Sequence, residues 1–238
     1  MLQPTEIERA LVVTAHPDDV DFAAAGTVAT LTAAGAEVTY CLVTDGDAGG
    51  FDLTIPRPQM AEIRRAEQTR AAKEVGVESL FFLGHSDGRV VADLNLRRDV
   101  SRVIRQVRPQ VVISQSPIRD LARVYGSHPD HRAAGEATID AVYPDARNPF
   151  AHPELLLEGL DPWAVPEVWV MVGPAPSDAV DVTDHVERKL RALMCHESQH
   201  VDPVSTEERV RAWMQLTAST FGLGEGRFAE AFQVVDTR

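Results

Sequence analysis

The chain has 238 residues, 44% of them hydrophobic and 25% charged, and 36 Asp and Glu against 23 Lys and Arg give a formal net charge of −13. That acidic balance excludes a general role on nucleic acid or anionic membrane surfaces, where phosphates need basic patches. Cys41 and Cys195 are too few and too far apart for a disulfide framework or a thiolate metal site.

In chain order, ALVVTA (residues 10–15) reads as a first buried strand, and FAAAGTVATLTAAG follows with helical spacing up to Gly35. EVTYCLVT (37–44) reads as a second strand and PQMAEIRRAEQTRAAKEVG as a helix closing at Gly76. SLFFLG (79–84) is a third strand, LNLRRDVSRVIRQVRP a helix closed by Pro109, and QVVISQS (110–116) a fourth strand. Over residues 144–164 the pattern breaks into a Pro- and Asn-containing stretch that reads as a long loop or lid. EVWVMVG (167–173) is a fifth strand, and DVTDHVERKLRALMCHESQH and TEERVRAWMQLTASTFG read as two late helices. The strands are uniformly apolar rather than alternating, as in parallel strands covered on both faces. Alternation with helices predicts one Rossmann-like, doubly wound α/β domain over 1–238, a mostly parallel sheet with helices on both faces. The opening MLQPTEIERA has acids where a signal peptide is basic and then apolar, and no apolar run reaches membrane-spanning length. A cytoplasmic protein without a membrane span is expected.

Ligands of open α/β sheets bind outside the carboxyl ends of the strands. The loops there carry His16-Pro17-Asp18-Asp19, Asp45-Gly46-Asp47, His85-Ser86-Asp87 and Ser127-His128-Pro129-Asp130-His131. Alone, HPDD or HPDH is an ordinary turn with a helix cap. Together on one edge they form a site. His16, Asp19 and His131 can supply the three ligands of a catalytic zinc, with Asp18 directed towards its water. Pro129 suits the first position of a helix, so His128 and His131 share one side of its start: one can bind metal while the other stands beside a substrate carbonyl. Asp130 can hold the His128 ring and favour its imidazolium form. Asp87, Asp45 and Asp47 are ordinary turn residues by themselves, although the glycines of TDGDAGG let backbone approach a ligand. EIRRAEQTR reads as a solvated helix face, Cys195 as a buried thiol, His196 as packing or as support behind a site, and His185 and His200 as surface residues.

AHPDD after the first strand and HPDH after the fourth resemble the LmbE-like, or PIG-L, family of zinc-dependent N-acetylglucosaminyl deacetylases. The likeness covers nearly the whole chain. IRRAEQTRAAKEVGVESLFFLGHSDGRV is similar to the family's Arg-x-x-Glu helix and FLG-x-x-DG strand end. DVTDHVERKLRALMCHESQ is similar to its C-terminal helix ending in H-x-S-Q, and AEAFQVV to its last strand. The resemblance implies that His16, Asp19 and His131 bind one Zn2+ per chain, in a site that other divalent metals such as Fe2+ can also take. It makes Asp18 the general base and His128 the cation facing the oxyanion. Arg64 and Asp87 are placed against the sugar, with Arg65 a rival for the first. The implied substrate is a small glycoconjugate bearing N-acetylglucosamine, with no nucleic-acid partner and with room for a homo-oligomer. Two departures bear on substrate: Val20-Asp21 stand where Glu commonly follows the first motif, and Tyr125 lies three residues before His128 rather than two.

Other readings of the same residues are an amidase acting on a mycothiol-type conjugate or another linear amide, and a non-heme iron enzyme using two His and a carboxylate. A nucleotide-binding module fits less well, because HPDDVDFAAAG lacks the Gly-x-Gly-x-x-Gly loop and its acids repel a pyrophosphate.

Overall fold

The computed structural model describes residues 1–122 and 124–238. Among the described residues, seven strands form one sheet: β1 Arg9–Thr14, β2 Glu37–Thr44, β3 Ser79–His85, β4 Val111–Gln115, β5 Glu167–Met171, β6 Asp178–Asp181 and β7 Ala229–Asp236. Their order is β3-β2-β1-β4-β5-β7-β6. The first five are parallel, and β7 runs antiparallel to both β5 and β6. Along β1 the side chains divide between two apolar cores, Ala10 and Val12 on one face and Leu11 and Val13 on the other. Such a strand can read as apolar throughout only because both faces are covered.

The helices are α1 Asp19–Ala23, α2 Ala25–Ala33, α3 Arg57–Glu74, α4 Leu94–Val107, α5 Pro129–Asp140, α6 Pro153–Leu157, α7 Val186–Met194 and α8 Pro203–Thr220. Those numbered 1, 2, 3, 7 and 8 contribute to the first core, and α4 and α5 to the second. The doubly wound expectation therefore holds. Among the described residues, no helix is long and apolar enough to cross a membrane.

Three elements differ from the sequence reading. The first expected helix is two, because the backbone breaks at Ala24 (φ −141°, ψ 3°). The break opens a fresh helix start, whose Gly26 and Thr27 N–H groups donate to Glu230 from β7 at 3.0 and 2.6 Å. β6 has no counterpart in the expected elements. Asp178-Ala179-Val180-Asp181 is too short to show a pattern, and it is a strand because β7 pairs with it.

The third difference is the stretch expected as a loop or lid. Residues 141–166 connect the end of α5 to the start of β5, at the amino edge of the sheet and therefore away from the motif loops. Buried Arg105 of α4 clamps this stretch, donating to the carbonyls of Ala146, Asp145, Asn148 and Ala151 at 2.9–3.2 Å. Arg97 grips Asp145 with two bonds of 2.9 Å, and the Trp163 indole donates to Pro109 O at 2.8 Å. It is a strap fastened at the edge opposite the motif loops.

Gly135 lets α5 lie directly on the end of β4, since a Cβ there would meet the Gln115 carbonyl oxygen at 2.2 Å. Backbone cannot yield as a side chain does. Gly135→Ala is expected to destabilise by about 1–3 kcal/mol, read as a melting temperature about 2–12 °C lower for a chain of this size. An unchanged melting temperature would mean that α5 has slack at this crossing.

Candidate metal and catalytic site

The two proline motifs flank the point where the strand order reverses. His16-Pro17-Asp18-Asp19 follows β1, and the His128–His131 turn starts α5 after β4, the neighbour of β1 on the other side. Such a point is where an open α/β sheet leaves a crevice for ligands. The Ala15 N–H donates to Gln115 Oε1 at 2.9 Å, tying the two strand ends together.

His16, Asp19 and His131 meet in this crevice. Asp19 Oδ2 lies 3.4 Å from His16 Nδ1 and accepts the His16 backbone N–H at 2.7 Å. Asp19 Oδ1 lies 3.0 Å from His131 Nε2. The rings of His16, His128 and His131 stand with centroids 5.2 Å apart in each pairing. Ligand atoms of these three imidazoles all lie within 4.8 Å of one another.

The far side of the His16 ring faces two carboxylates: Nε2 is 3.1 Å from Asp87 Oδ1 and 3.3 Å from Asp130 Oδ2. Ionised carboxylates only accept, so Nε2 carries hydrogen and the neutral ring keeps its free lone pair at Nδ1, on the Asp19 side. Carboxylates orient metal-binding imidazoles in this manner. His16, Asp87 and Asp130 also form a compact cluster of their own. Its acids are already engaged by backbone, however: Asp130 accepts from the N–H groups of Gly88 (2.6 Å) and Val90 (3.2 Å), and Asp87 from that of Ala48 (2.7 Å). They stand behind His16, not in the crevice.

This arrangement places two acids differently from the local expectation. Asp130 supports His16 rather than His128, whose Nδ1 accepts the Asp130 backbone N–H at 3.2 Å. His128 is the N-cap of α5, and a capping side chain turns back onto the first amides of its helix. Burial and the neighbouring His16 and His131 lower the pKa of His128 against the pull of Asp130 and Asp19. With Nδ1 accepting, the neutral ring bears its hydrogen on Nε2. Asp87, expected against the sugar, is 7% exposed and holds the His16 ring.

Burial opposes a charge on His16, but Asp130, Asp19 and Asp87 overcome it and raise its pKa to about 12. His131 is raised likewise by Asp19 against its own burial. Asp19, despite burial, is held well below the usual carboxylate range by His131 and His16. Asp87 is lowered to about 2, burial again working against the attraction of His16. The cluster thus calls for positive charge where two imidazole nitrogens and a carboxylate converge. A divalent cation supplies that charge in place of the ring protons, and this N, N, O donor set is one that open catalytic metal sites use. The residues fit a metal. Asp130→Asn, which removes an ionised acceptor behind His16, is expected to lower metal affinity about 10–100-fold in a chelator competition. Unchanged affinity would leave Asp87 as the sole orienting group.

Asp18 stands beside these residues in a left-handed conformation (φ 86°) that non-glycine residues adopt only where their surroundings hold it. Its carboxylate accepts from Arg64 Nη2 at 3.0 Å, and its backbone N–H donates to Gln68 Oε1 at 2.8 Å. Burial pushes its pKa up; Arg64 pulls against that rise and the Asp19 charge adds to it. Arg64, expected against the substrate, lies here against Asp18. It is 4% exposed, and its guanidinium donates to Asp18, Pro17 O and Gly46 O. Gly46 and Gly49 admit that guanidinium, since a Cβ on either would come within 2.4–2.5 Å of Arg64 Nη1. Two of the three glycines of TDGDAGG thus make room for an arginine, and the third, Gly50, lies against Met60. Arg65 points outward, paired with Asp45 by two bonds of 2.7 Å and lying over Phe82.

Of the remaining residues, Tyr125 is exposed and Cys195 only half-buried, its thiol on the Arg191 carbonyl. His185 and His200 are half-buried rather than free on the surface, and His200 Nε2 meets Leu193 O at 2.9 Å. His196 is fully buried against Asp21. Gln68 carries no signal in the sequence beyond its neighbours, while Asp21 stands out there only as a departure from the family motif; both prove to be wired to Asp18.

The family model described as GlcNAc-PI de-N-acetylase, PIG-L, matches residues 11–142. The chain belongs to the PIG-L family. That match spans both proline motifs and the helix bearing Arg64 and Gln68. A diacetylchitobiose deacetylase of Thermococcus kodakarensis is 33% identical, over 97% of this chain and 84% of that protein. A 1D-myo-inositol 2-acetamido-2-deoxy-alpha-D-glucopyranoside deacetylase of Rhodococcus erythropolis is 30% identical, over 81% of each. Among solved structures, the N,N'-diacetylchitobiose deacetylase of Pyrococcus horikoshii, complexed with its inhibitor, superposes with a TM-score of 0.89. It covers 98% of this PIG-L member and 85% of that chain at 28% identity.

Proposed function

We propose that the chain is a zinc-dependent hydrolase that removes the N-acetyl group from an N-acetylglucosamine-type glycoconjugate, releasing acetate and a free amine. The observation that carries this reading is the convergence of His16, Asp19 and His131, with the His128 ring 5.2 Å from both imidazoles and Asp18, the residue before Asp19, held by Arg64. The activities named for the Thermococcus and Rhodococcus relatives, both deacetylases of acetylated amino sugars, support it.

His16, Asp19 and His131 would hold the metal, which when bound supplies an acidified water and polarises the amide carbonyl. Asp18 is the group placed to take the proton from that water as its oxygen attacks the carbonyl carbon, a role that a raised carboxylate pKa suits. The negative charge developing on the carbonyl oxygen is met by His128, which donates from Nε2–H as a neutral ring. The C–N bond then breaks as Asp18 returns its proton to the departing nitrogen. Acetate and the amine are the products, and Asp18 is ionised again. Arg64 keeps the Asp18 carboxylate aimed throughout and takes no proton.

The test is amine release from N,N'-diacetylchitobiose and from malate- and inositol-linked N-acetylglucosamine, with and without a chelator, alongside metal analysis of the purified protein. Chelator-sensitive release with zinc bound is expected. Metal-loaded protein that cleaves none of these acetamides would overturn deacetylation; iron as the native metal would overturn the assignment of zinc.

A further inference from the structure

Two residues that the proposed chemistry leaves unused are fully buried beneath Asp18. Asp21 and His196 have no solvent exposure, and Asp21 Oδ2 meets His196 Nε2 at 2.8 Å. Gln68 completes the connection, because its Nε2 donates to the same Asp21 oxygen at 2.9 Å while its Oε1 accepts the Asp18 backbone N–H at 2.8 Å. A backbone N–H can only donate, so Oε1 must face Asp18 and Nε2 must face Asp21, which fixes the amide's orientation. Asp21 accepts, so His196 Nε2 carries the hydrogen.

We propose that Gln68, Asp21 and His196 are positioning residues that hold Asp18 in its left-handed conformation and so keep its carboxylate aimed at the reacting water. The proposal rests on Asp18 being the base. The geometry explains why α3 offers two residues one turn apart to the same aspartate. Arg64 takes the Asp18 carboxylate at 3.0 Å and Gln68 takes its backbone N–H, so one helix face fixes both ends of the residue. It also explains the His196-Glu197-Ser198-Gln199 segment, far away in sequence. His196 anchors Asp21, and Ser198 binds Glu67 of α3 through its N–H at 2.8 Å and its hydroxyl at 2.7 Å. α1, α3 and the turn after α7 are thereby locked together below Asp18.

A network of this kind is a poor choice for stability alone. Apolar residues of similar volume commonly do as well as a buried charged pair, and here Asp21 Oδ1 and His196 Nδ1 have no hydrogen-bond partner among the described residues. What the network supplies is a direction for Asp18. Since φ above zero is held only where the surroundings over-determine it, loss of the Gln68 acceptor releases the residue that the chemistry needs fixed.

The test compares Gln68→Met and His196→Gln in the metal-loaded enzyme, alone and combined with Asp18→Asn. Each single variant is expected to lower kcat about 10–100-fold, the scale of a small misplacement of a catalytic group, while KM and bound metal per chain stay as in the parent. In the Asp18→Asn background neither should lower the residual turnover further, because both act through Asp18. His196→Gln touches only the far bond and carries the test if Gln68→Met does not melt cooperatively. Unchanged kcat, or an equal loss in the Asp18→Asn background, overturns the positioning role. If Asp18→Asn alone leaves turnover intact, the base assignment falls first and the positioning role with it.

Discussion

Asp18→Asn should lower turnover by at least about a hundredfold with metal content unchanged and a cooperative thermal melt retained. Asparagine has the same shape, and its oxygen can still accept from Arg64 Nη2, so the buried contact at 3.0 Å survives. The three side chains proposed to hold the metal are separate residues whose partners lie elsewhere: Asp19 on His131, and His16 on Asp87 and Asp130. What disappears is the capacity to take a proton. The measurements are kcat on diacetylchitobiose, zinc per chain and a thermal melt. A variant within about threefold of the parent, with metal bound, would return the proton to another group. His128 would then be the first candidate, since its lowered pKa leaves it largely unprotonated. The present geometry argues against that exchange, because its basic nitrogen Nδ1 is turned back on the Asp130 amide.

The parts legible in the sequence share one property: they are local. β1 and β2 show as apolar runs, and Pro129 starts α5 as a proline at a helix start should. His16, Asp19 and His131 are legible as a set because two short motifs fall on one sheet edge. What sequence could not reveal depends on chain segments that meet only in the fold. Asp130 is two residues from His128, and local reasoning assigned it there, yet its side chain crosses to a ring 114 positions away. Arg64 resembles a substrate-facing arginine in the motif, but only the turn at Gly46 and Gly49 shows that it is covered. The long stretch before β5 suggested a lid by its length and prolines, whereas Arg105, one buried side chain on a distant helix, fastens it at the far edge.

Glu230→Ala should destabilise the protein by about 3–5 kcal/mol, as loss of one partner from a buried ion pair does, and lower its melting temperature by about 6–20 °C. The cause is the break between α1 and α2. At Ala24 the chain leaves the helix, so the Phe22 carbonyl and the Gly26 and Thr27 amides need partners in the interior. Lys189, with no exposure, donates to Phe22 O at 2.7 Å and to Glu230 Oε1 at 2.6 Å, while the Glu230 carboxylate takes both amides. Alanine at 230 leaves a buried ammonium with a carbonyl alone and two amides with nothing, which is dearer than the pair was favourable. Lys189→Met combined with Glu230→Gln should recover much of the loss, because the glutamine oxygen can still accept an amide and no charge is stranded. A single variant that melts with the parent would show that the break is held by α1 and α2 packing alone. The consequence reaches the site because α1 begins at Asp19 and directly follows Asp18. A helix break secured from β7 and α7 lets that short first helix end after a single turn, with Asp18 and Asp19 at its start facing the crevice residues His16 and His131.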